Sequence, residues 1–208
     1  MKRLFLLCAL LMAALPACAE TNGHRAGEED SSSLREFRVK TAIFAGGCFW
    51  CIEADFEKLN GVIAVESGYT GGTLKHPTYQ QVSAGGTGHA EAVRVQYDPQ
   101  QVSYEKLLDY FWHHIDPTVK NQQFCDLGSQ YRSAIFYQDK VEQALATASK
   151  QALQSRFANI YTEIVAASTF YPAEIYHQDY YRKNPLRYQY YRYRCGRDER
   201  VKAVWGTR

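Results

Sequence analysis

Beyond residues 1–19 the sequence has no apolar run long enough to cross a bilayer. It also lacks an excess of charge: 24 Lys and Arg stand against 22 Asp and Glu, and Lys2 and Arg3 lie in those first residues. The remainder is close to neutral, which removes the broad electrostatic field that nucleic-acid binding needs. No internal repeat is present, which excludes a solenoid. Cysteine is sparse: Cys8 and Cys18 near the start, then only Cys48, Cys51, Cys125 and Cys195. Metal-ligand spacing is absent too. His113 and His114 are neighbours on an expected helix and face different ways, with no third ligand one turn on, so no metal is expected.

What is present begins with a leader. Lys2-Arg3, the apolar stretch Leu4 to Leu15 and Ala17-Cys18-Ala19 read as a secretory signal over residues 1–19, cleaved after Ala19. The rival is lipid anchoring at Cys18, which Pro16, two residues before it, disfavours. Residues 20–36 are polar and read as a disordered linker. Residues 37–208 read as one catalytic domain, expected to be a monomer in the periplasm or cell envelope. In an exported chain the four remaining cysteines could simply form structural disulfides.

The domain's pattern is β-α-β-(α)-β-α-β-α-β, with strands expected over 38–45, 62–67, 89–97, 131–137 and 162–167. Helices are expected over 48–59, 78–82, 103–114 and 139–157. This predicts an α+β fold, a two-layer α/β sandwich, rather than a regular doubly wound sheet. After Phe170 a run crowded with Tyr, Lys and Arg reads as a long irregular C-terminal tail wrapped over the domain.

The chemistry gathers at Gly46-Gly47-Cys48-Phe49-Trp50-Cys51, a strand, glycine turn and helix start. The helix dipole there favours a Cys48 thiolate. At about 100° per residue, Phe49, Ile52, Phe56 and Leu59 share the core face, Cys51 turns toward the surface and Trp50 lies opposite the core. In the alternating strand 89–97, Glu91 shares the apolar side with Val93, Val95 and Tyr97, where burial should raise its pKa and suit it to giving a proton near neutrality. The alternation is equally satisfied by a glutamate paired with an arginine for structure. Cys48 and Cys51 alone do not separate reduction of an oxidised, oxygen-bearing substrate from disulfide exchange.

Six motifs, Gly46-Gly47-Cys48-Phe49-Trp50, Gly68-Tyr69-Thr70-Gly71-Gly72, Pro77-Thr78-Tyr79, Gly88-His89-Ala90-Glu91-Ala92, Gln130-Tyr131-Arg132-Ser133-Ala134-Ile135 and His177-Gln178-Asp179-Tyr180, resemble in order those of the peptide methionine sulfoxide reductase A family. The resemblance implies a mixed sheet related to split βαβ (ferredoxin-like) folds. It implies Cys48 as nucleophile, Glu91 as proton donor and Tyr79 and Tyr131 as donors to the sulfoxide oxygen. Phe49 and Trp50 would wall in the substrate methyl, with Asp126, Tyr180 and Tyr188 completing the site. Oxidised proteins or free methionine S-sulfoxide would be substrates. No bound cofactor is implied, and a thioredoxin-like reductant would recycle the enzyme. In many members a resolving cysteine follows the tyrosine matched by Tyr188; here Gln189 stands there. The candidates are Cys195, favoured for the freedom of a mobile tail, and Cys51. A pair three residues apart within a helix has Cβ atoms about 5–6 Å apart, against roughly 3.5–4.5 Å in a disulfide. Cys125 is a further relay or structural. The competing functions are a periplasmic thiol-disulfide oxidoreductase using Cys48 and Cys51, and a disulfide-stapled binding protein.

Overall fold

The computed structural model describes residues 39–206. The expected leader, the linker and Cys18 lie outside the described residues. Among the described residues no helix is long and apolar enough to cross a membrane.

The elements are β1 (Lys40–Gly46), α1 (Phe49–Phe56), β2 (Val62–Thr70), α2 (Tyr79–Ser83), β3 (Ala90–Tyr97), α3 (Tyr104–Trp112), β4 (Gln122–Gln123), β5 (Asp126–Leu127), β6 (Ser133–Tyr137), α4 (Lys140–Ala152), β7 (Glu163–Ala166), β8 (Tyr171–Pro172), α5 (Tyr180–Lys183), α6 (Pro185–Arg194) and α7 (Arg197–Trp205). Six strands form one mixed sheet in the order β7-β6-β1-β3-β2-β8. Only β6 and β7 pair in parallel; the other neighbours are antiparallel. The fold is therefore mixed α+β, as the pattern predicted.

Local chemistry explains the helix starts. Ser103 accepts a hydrogen bond from the Lys106 N–H. Asp139 accepts from Val141 and Glu142. Thr78 and Gln81 form a reciprocal capping box around α2. Each satisfies N–H groups that the first helical turn leaves unpaired. The sheet's main core face carries Ala42, Phe44, Val93, Val95 and Ile135 against Phe49, Ile52 and Phe56 of α1 and Leu107, Leu108 and Phe111 of α3. The opposite face is lined by smaller groups, Ala45, Ala90, Ala92 and Ala134 with Ile43 and Phe136. Alternation along β1 and β3 sends successive side chains to these two faces.

The chain's end differs from the expected irregular tail. From Tyr180 it is mostly helical, in three pieces. Pro185 stands in the first turn of α6, where its missing N–H costs nothing. Gly196, left-handed at φ 65°, turns the chain between α6 and α7. The inner face of α6 carries Tyr188, Tyr191 and Arg192 instead of aliphatic residues, so its helical period is not written in ordinary hydrophobic residues.

Arg197, at the start of α7, fastens this end to the domain. It is 1% exposed. Its terminal nitrogens donate to the carbonyls of Gly46 (3.3 Å) and His114 (2.8 Å), and its guanidinium lies 4.4 Å from the Phe124 ring centre. Its Nε is 3.7 Å from the buried carboxylate of Asp55, which Arg192 also pairs with at 2.9 Å. The glycine turn before α1 and the C-terminal helices are thus locked through one side chain. Removing one partner of a buried charged pair strands the others, a loss of about 3–5 kcal/mol. Arg197→Ala is expected to lower the urea midpoint by an amount equivalent to about 3 kcal/mol; an unchanged midpoint would show that the anchoring is dispensable.

Candidate active site

The site forms where β1 ends and α1 begins. Gly47 has φ 87°, and a Cβ there would sit 2.6 Å from Cβ of Gln123. The position therefore takes glycine for both backbone and space. Cys48 is the residue before α1, its carbonyl accepting from Cys51 N–H at 3.1 Å and more weakly from Ile52. A cavity of about 60 Å³ opens over it, lined by Cys48, Phe49, Trp50, Tyr79, Glu91, Asp126, Tyr131 and Tyr191. It has room for the end of a side chain rather than for a large ligand.

Glu91 lies on the core-facing side of β3, 2% exposed. Its carboxyl accepts the backbone N–H of Phe49 at 3.0 Å and thereby holds the first turn of α1 to the sheet. Among the described residues it pairs with no arginine: Arg94, the arginine of the same strand, pairs with Glu66. Burial pushes the Glu91 carboxyl up to about 8, with the Phe49 hydrogen bond opposing and the carboxyl of Asp126 adding. Burial likewise raises Tyr79 to about 12 and moves Tyr131 upward, so both phenols remain donors.

The expected Cys48 thiolate is not the resting form. Burial pushes its pKa well above the usual value, helped by the hydrogen bond with Cys51 and by the nearby carboxyls of Glu91 and Asp126. Cys51 moves the other way, because of the same hydrogen bond with Cys48 and the positive charges of Arg197 and Arg192. Cys51 is also not turned to the surface. It is 1% exposed, packed with Ala54 and Tyr188 beneath the C-terminal helices.

The aromatic wall is organised by neighbours from the chain's end. Trp50 stacks on Tyr180 with ring centres 3.7 Å apart, and its indole N–H donates to Nδ1 of His177 at 3.0 Å. Tyr188 does not line the cavity; it packs behind Cys51 and receives a hydrogen bond from Arg192 at 2.9 Å. Tyr191 takes the place at the cavity instead, its hydroxyl donating to Asp126 Oδ2 at 2.6 Å. Asp126 also accepts the Cys48 N–H, while burial raises its pKa. Tyr191 and His177 are site residues that sequence reasoning does not reach. His177 lies within a recognised motif, but only the folding of α6 brings Tyr191 over the cavity.

Cys195 is not on a free tail. It ends α6 and is bonded to Cys125, with Cα atoms 4.9 Å apart. Cys48 and Cys51 are free thiols. The carboxylate of Asp126 lies 3.8 Å from the Cys125 sulfur and 3.9 Å from that of Cys195, so the disulfide borders the cavity. Cys125 is its more exposed end. Those two cysteines with Asp126 could offer a metal three ligand atoms only once the disulfide is reduced.

Comparison with known proteins gives one consistent result. The sequence model "Peptide methionine sulfoxide reductase" matches residues 40–208. "Peptide methionine sulfoxide reductase MsrA 2" of Caulobacter vibrioides is 45% identical over 208 residues, 99% of this chain and 100% of that protein. "Peptide methionine sulfoxide reductase MsrA/MsrB" of Vibrio cholerae is 43% identical over 212 residues, 100% of this chain, which spans only 56% of that longer relative. Among solved structures, reduced Mxr1 of Saccharomyces cerevisiae superposes with a TM-score of 0.69 at 33% identity, over 72% of this chain and 87% of its own. Mxr1 in complex with Trx2 shares the fold, with a TM-score of 0.50 at 23% identity over 69% and 86% of the two chains.

The raised Glu91 pKa has two consequences with definite signs. As an acid it is available below about 8, so kcat/KM for a substrate that must be protonated should fall as pH rises through that value. As a buried group its folded pKa exceeds the unfolded value of about 4.3. The associated stability is whole below about 4.3 and is lost as pH rises through about 8. Glu91→Gln, always neutral, should match the wild-type Tm at pH 4 and exceed it at pH 8 while losing most activity. A Tm gap independent of pH would contradict the assignment.

Proposed function

The chain belongs to the peptide methionine sulfoxide reductase family, and from that premise we propose that it reduces methionine S-sulfoxide, free or within oxidised proteins, at Cys48. The observation that carries this reading is the shared cavity. One small space holds a thiol, a protonated carboxyl, two phenolic donors and an aromatic wall.

The sulfoxide methyl packs between Phe49 and Trp50. Its oxygen points to Glu91, Tyr79 and Tyr131. Cys48 attacks the sulfoxide sulfur, Glu91 protonates the oxygen and takes up the proton that the Cys48 thiol gives up, and the oxygen passes as hydroxyl from the substrate sulfur to Cys48. The products are methionine and a Cys48 sulfenic acid. Two electrons leave the thiol and enter the substrate sulfur, so no outside oxidant or cofactor is required. Asp126 orients the Cys48 backbone amide, and Tyr191 holds Asp126.

Cys51 is the first resolving group in this scheme, because its sulfur already shares a hydrogen bond with Cys48. Cys48 stands ahead of the helix with non-helical backbone angles, which frees the pair from the spacing of two residues inside a regular helix. Cys51 attacks the sulfenyl sulfur, the S–O bond breaks, and water leaves. A thioredoxin-like reductant then opens the Cys125–Cys195 disulfide at the exposed Cys125, and the dithiol so formed exchanges into the Cys48–Cys51 disulfide through Cys195, so two electrons pass from the reductant to Cys48 and Cys51 and the outer disulfide re-forms. Mxr1, a protein of related fold, has been solved with Trx2. Kinship to split βαβ folds is supported by the central strand order β6-β1-β3-β2. Export, a single catalytic domain over residues 37–208 and a monomeric state complete the proposal. Simple disulfide exchange at Cys48 and Cys51 leaves the buried Glu91 and the phenols without employment.

Cys48→Ser should abolish reduction of methionine S-sulfoxide. After one turnover without reductant, peptide mapping should find Cys48 bonded to Cys51 and Cys125 still bonded to Cys195. Sulfenic acid should accumulate in Cys51→Ser and be trapped by a dimedone probe. A first bridge from Cys48 to Cys195 would overturn the assigned order, and a fully active Cys48→Ser protein would overturn the reading itself.

A further inference from the structure

Glu53 has no part in the chemistry above, yet it is 0% exposed and sits one helical turn from Trp50 on α1. A carboxyl there loses its hydration and needs a reason to be kept. Its Oε1 accepts the backbone N–H of Asp179 at 3.1 Å, and the carboxyl also accepts from the N–H of Tyr180. Oε2 has no hydrogen-bond partner. Asp179 is left-handed, with φ 52°, a conformation that costs a non-glycine residue free energy and must be held by its surroundings. The next residue, Tyr180, lies flat on Trp50, planes 6° apart. The two N–H groups on Glu53 therefore fix the residue whose ring backs the substrate wall.

We propose that Glu53 is a positioning residue for the reductase site: its ionised carboxylate holds the Asp179–Tyr180 backbone so that Tyr180 clamps Trp50 in the orientation that receives the sulfoxide methyl group. This deepens the reductase reading of the same cavity and rests on it. A charged acceptor makes roughly twice as strong a hydrogen bond as a neutral one, so the clamp is firmer when Glu53 is ionised. Burial pushes Glu53 up to about 7, opposed by the Asp179 and Tyr180 N–H groups and reinforced by the charges of Glu57 and Asp179. The other charged groups that face it through these two are Arg182, paired with Glu57 at 2.9 Å and with Asp179 at 3.1 Å, and Lys183, 3.8 Å from Asp179. Tyr181 also donates to Glu57. The clamp accordingly tightens as pH rises through about 7, just below the range where Glu91 loses its proton.

The test uses the intact protein in two assays. In steady-state reduction of methionine S-sulfoxide, kcat/KM of the wild type should rise through about 7 and fall through about 8. Glu53→Gln keeps an acceptor but cannot ionise, so its profile should lose the rising limb and keep the falling one. Glu53→Ala, which removes the acceptor, should lose roughly 10- to 100-fold in kcat/KM, mainly through KM. If Glu53→Ala fails to fold, Tyr180→Leu in the wild-type and Glu53→Gln backgrounds replaces it, and the two losses should be non-additive.

The second assay needs no catalysis. In Cys48→Ser, tryptophan emission should titrate near 7 and should stop doing so when Glu53→Gln is added. If the protein reduces no sulfoxide while this titration is present, the reductase reading fails and the clamp stands. A rising limb that persists in Glu53→Gln, strict additivity with Tyr180→Leu, or an emission titration indifferent to Glu53→Gln would each overturn the clamp.

Discussion

The whole site depends on a carboxyl taken out of water. Glu91 is placed on the core-facing side of a central strand, where its one backbone partner is the Phe49 N–H at the start of α1. That contact fastens helix to sheet and aims Cys48 over the cavity. Burial, against the opposing pull of that hydrogen bond, keeps the carboxyl protonated to about 8. An acid with that pKa can give its proton at neutral pH, and an ordinary carboxylate cannot. The cost is carried by the fold, through the β2–β3–β1 core around it. The same desolvation holds Tyr79 and Tyr131 as phenols. The groups lining the cavity are thus kept as proton holders, which suits a substrate whose oxygen must leave its sulfur protonated.

That constraint also explains why the helix dipole does not decide the state of Cys48. At a helix start the dipole is worth about 0.3–1 kcal/mol, rarely about 2. Full burial of an ionisable group shifts its pKa by up to about 3–5 units, each about 1.4 kcal/mol. With two carboxyls nearby as well, burial wins, and Cys48 rests as a thiol. A resting thiolate would be exposed to any passing oxidant. A thiol that sheds its proton only as the sulfoxide oxygen takes one couples nucleophile activation to the right ligand.

The legible part of the site is the part encoded locally. Two-residue alternation places Glu91 on the buried face, and the glycine turn places Cys48 at a helix start. Both follow from backbone periodicity alone. Motif resemblance finds Tyr79, Tyr131 and Asp126, which no local pattern marks, and all three line the cavity. The stretch from Tyr180 reads as an irregular tail because α6 turns tyrosines and an arginine inward, so no aliphatic stripe announces it. Without α6, Tyr191 has no place at the cavity, Cys195 falls on a mobile tail, and the cover over Cys51 is invisible. Tyr188 matches a motif tyrosine but packs one layer deeper, behind Cys51. Arg197 is unreadable for the same reason: its carbonyl partners at Gly46 and His114 are 151 and 83 residues away.

The C-terminal helices therefore do more than wrap the domain. They bring five side chains to the site: Tyr180 against Trp50, Tyr188 and Arg192 over Cys51 and Asp55, Tyr191 onto Asp126, and Cys195 to the edge of the cavity. Asp126 is the junction, touching the Cys48 backbone on one side and both sulfurs of the disulfide on the other. A buried sulfenic acid cannot be reached by a protein-sized reductant. In the proposed relay two cysteine pairs, one enclosed and one ending in the exposed residue Cys125, solve this by separation. In that relay the inner pair meets the sulfoxide and the outer pair meets the reductant. Each exchange needs a sulfur to approach a disulfide along its bond axis, and Asp126, held by Tyr191, stands between the Cys48 backbone and the Cys125–Cys195 sulfurs. These are the same groups that hold the Cys48 backbone amide. In the proposed scheme the electron path and the substrate site share this one hydrogen bond, so a change at Tyr191 would be felt in both.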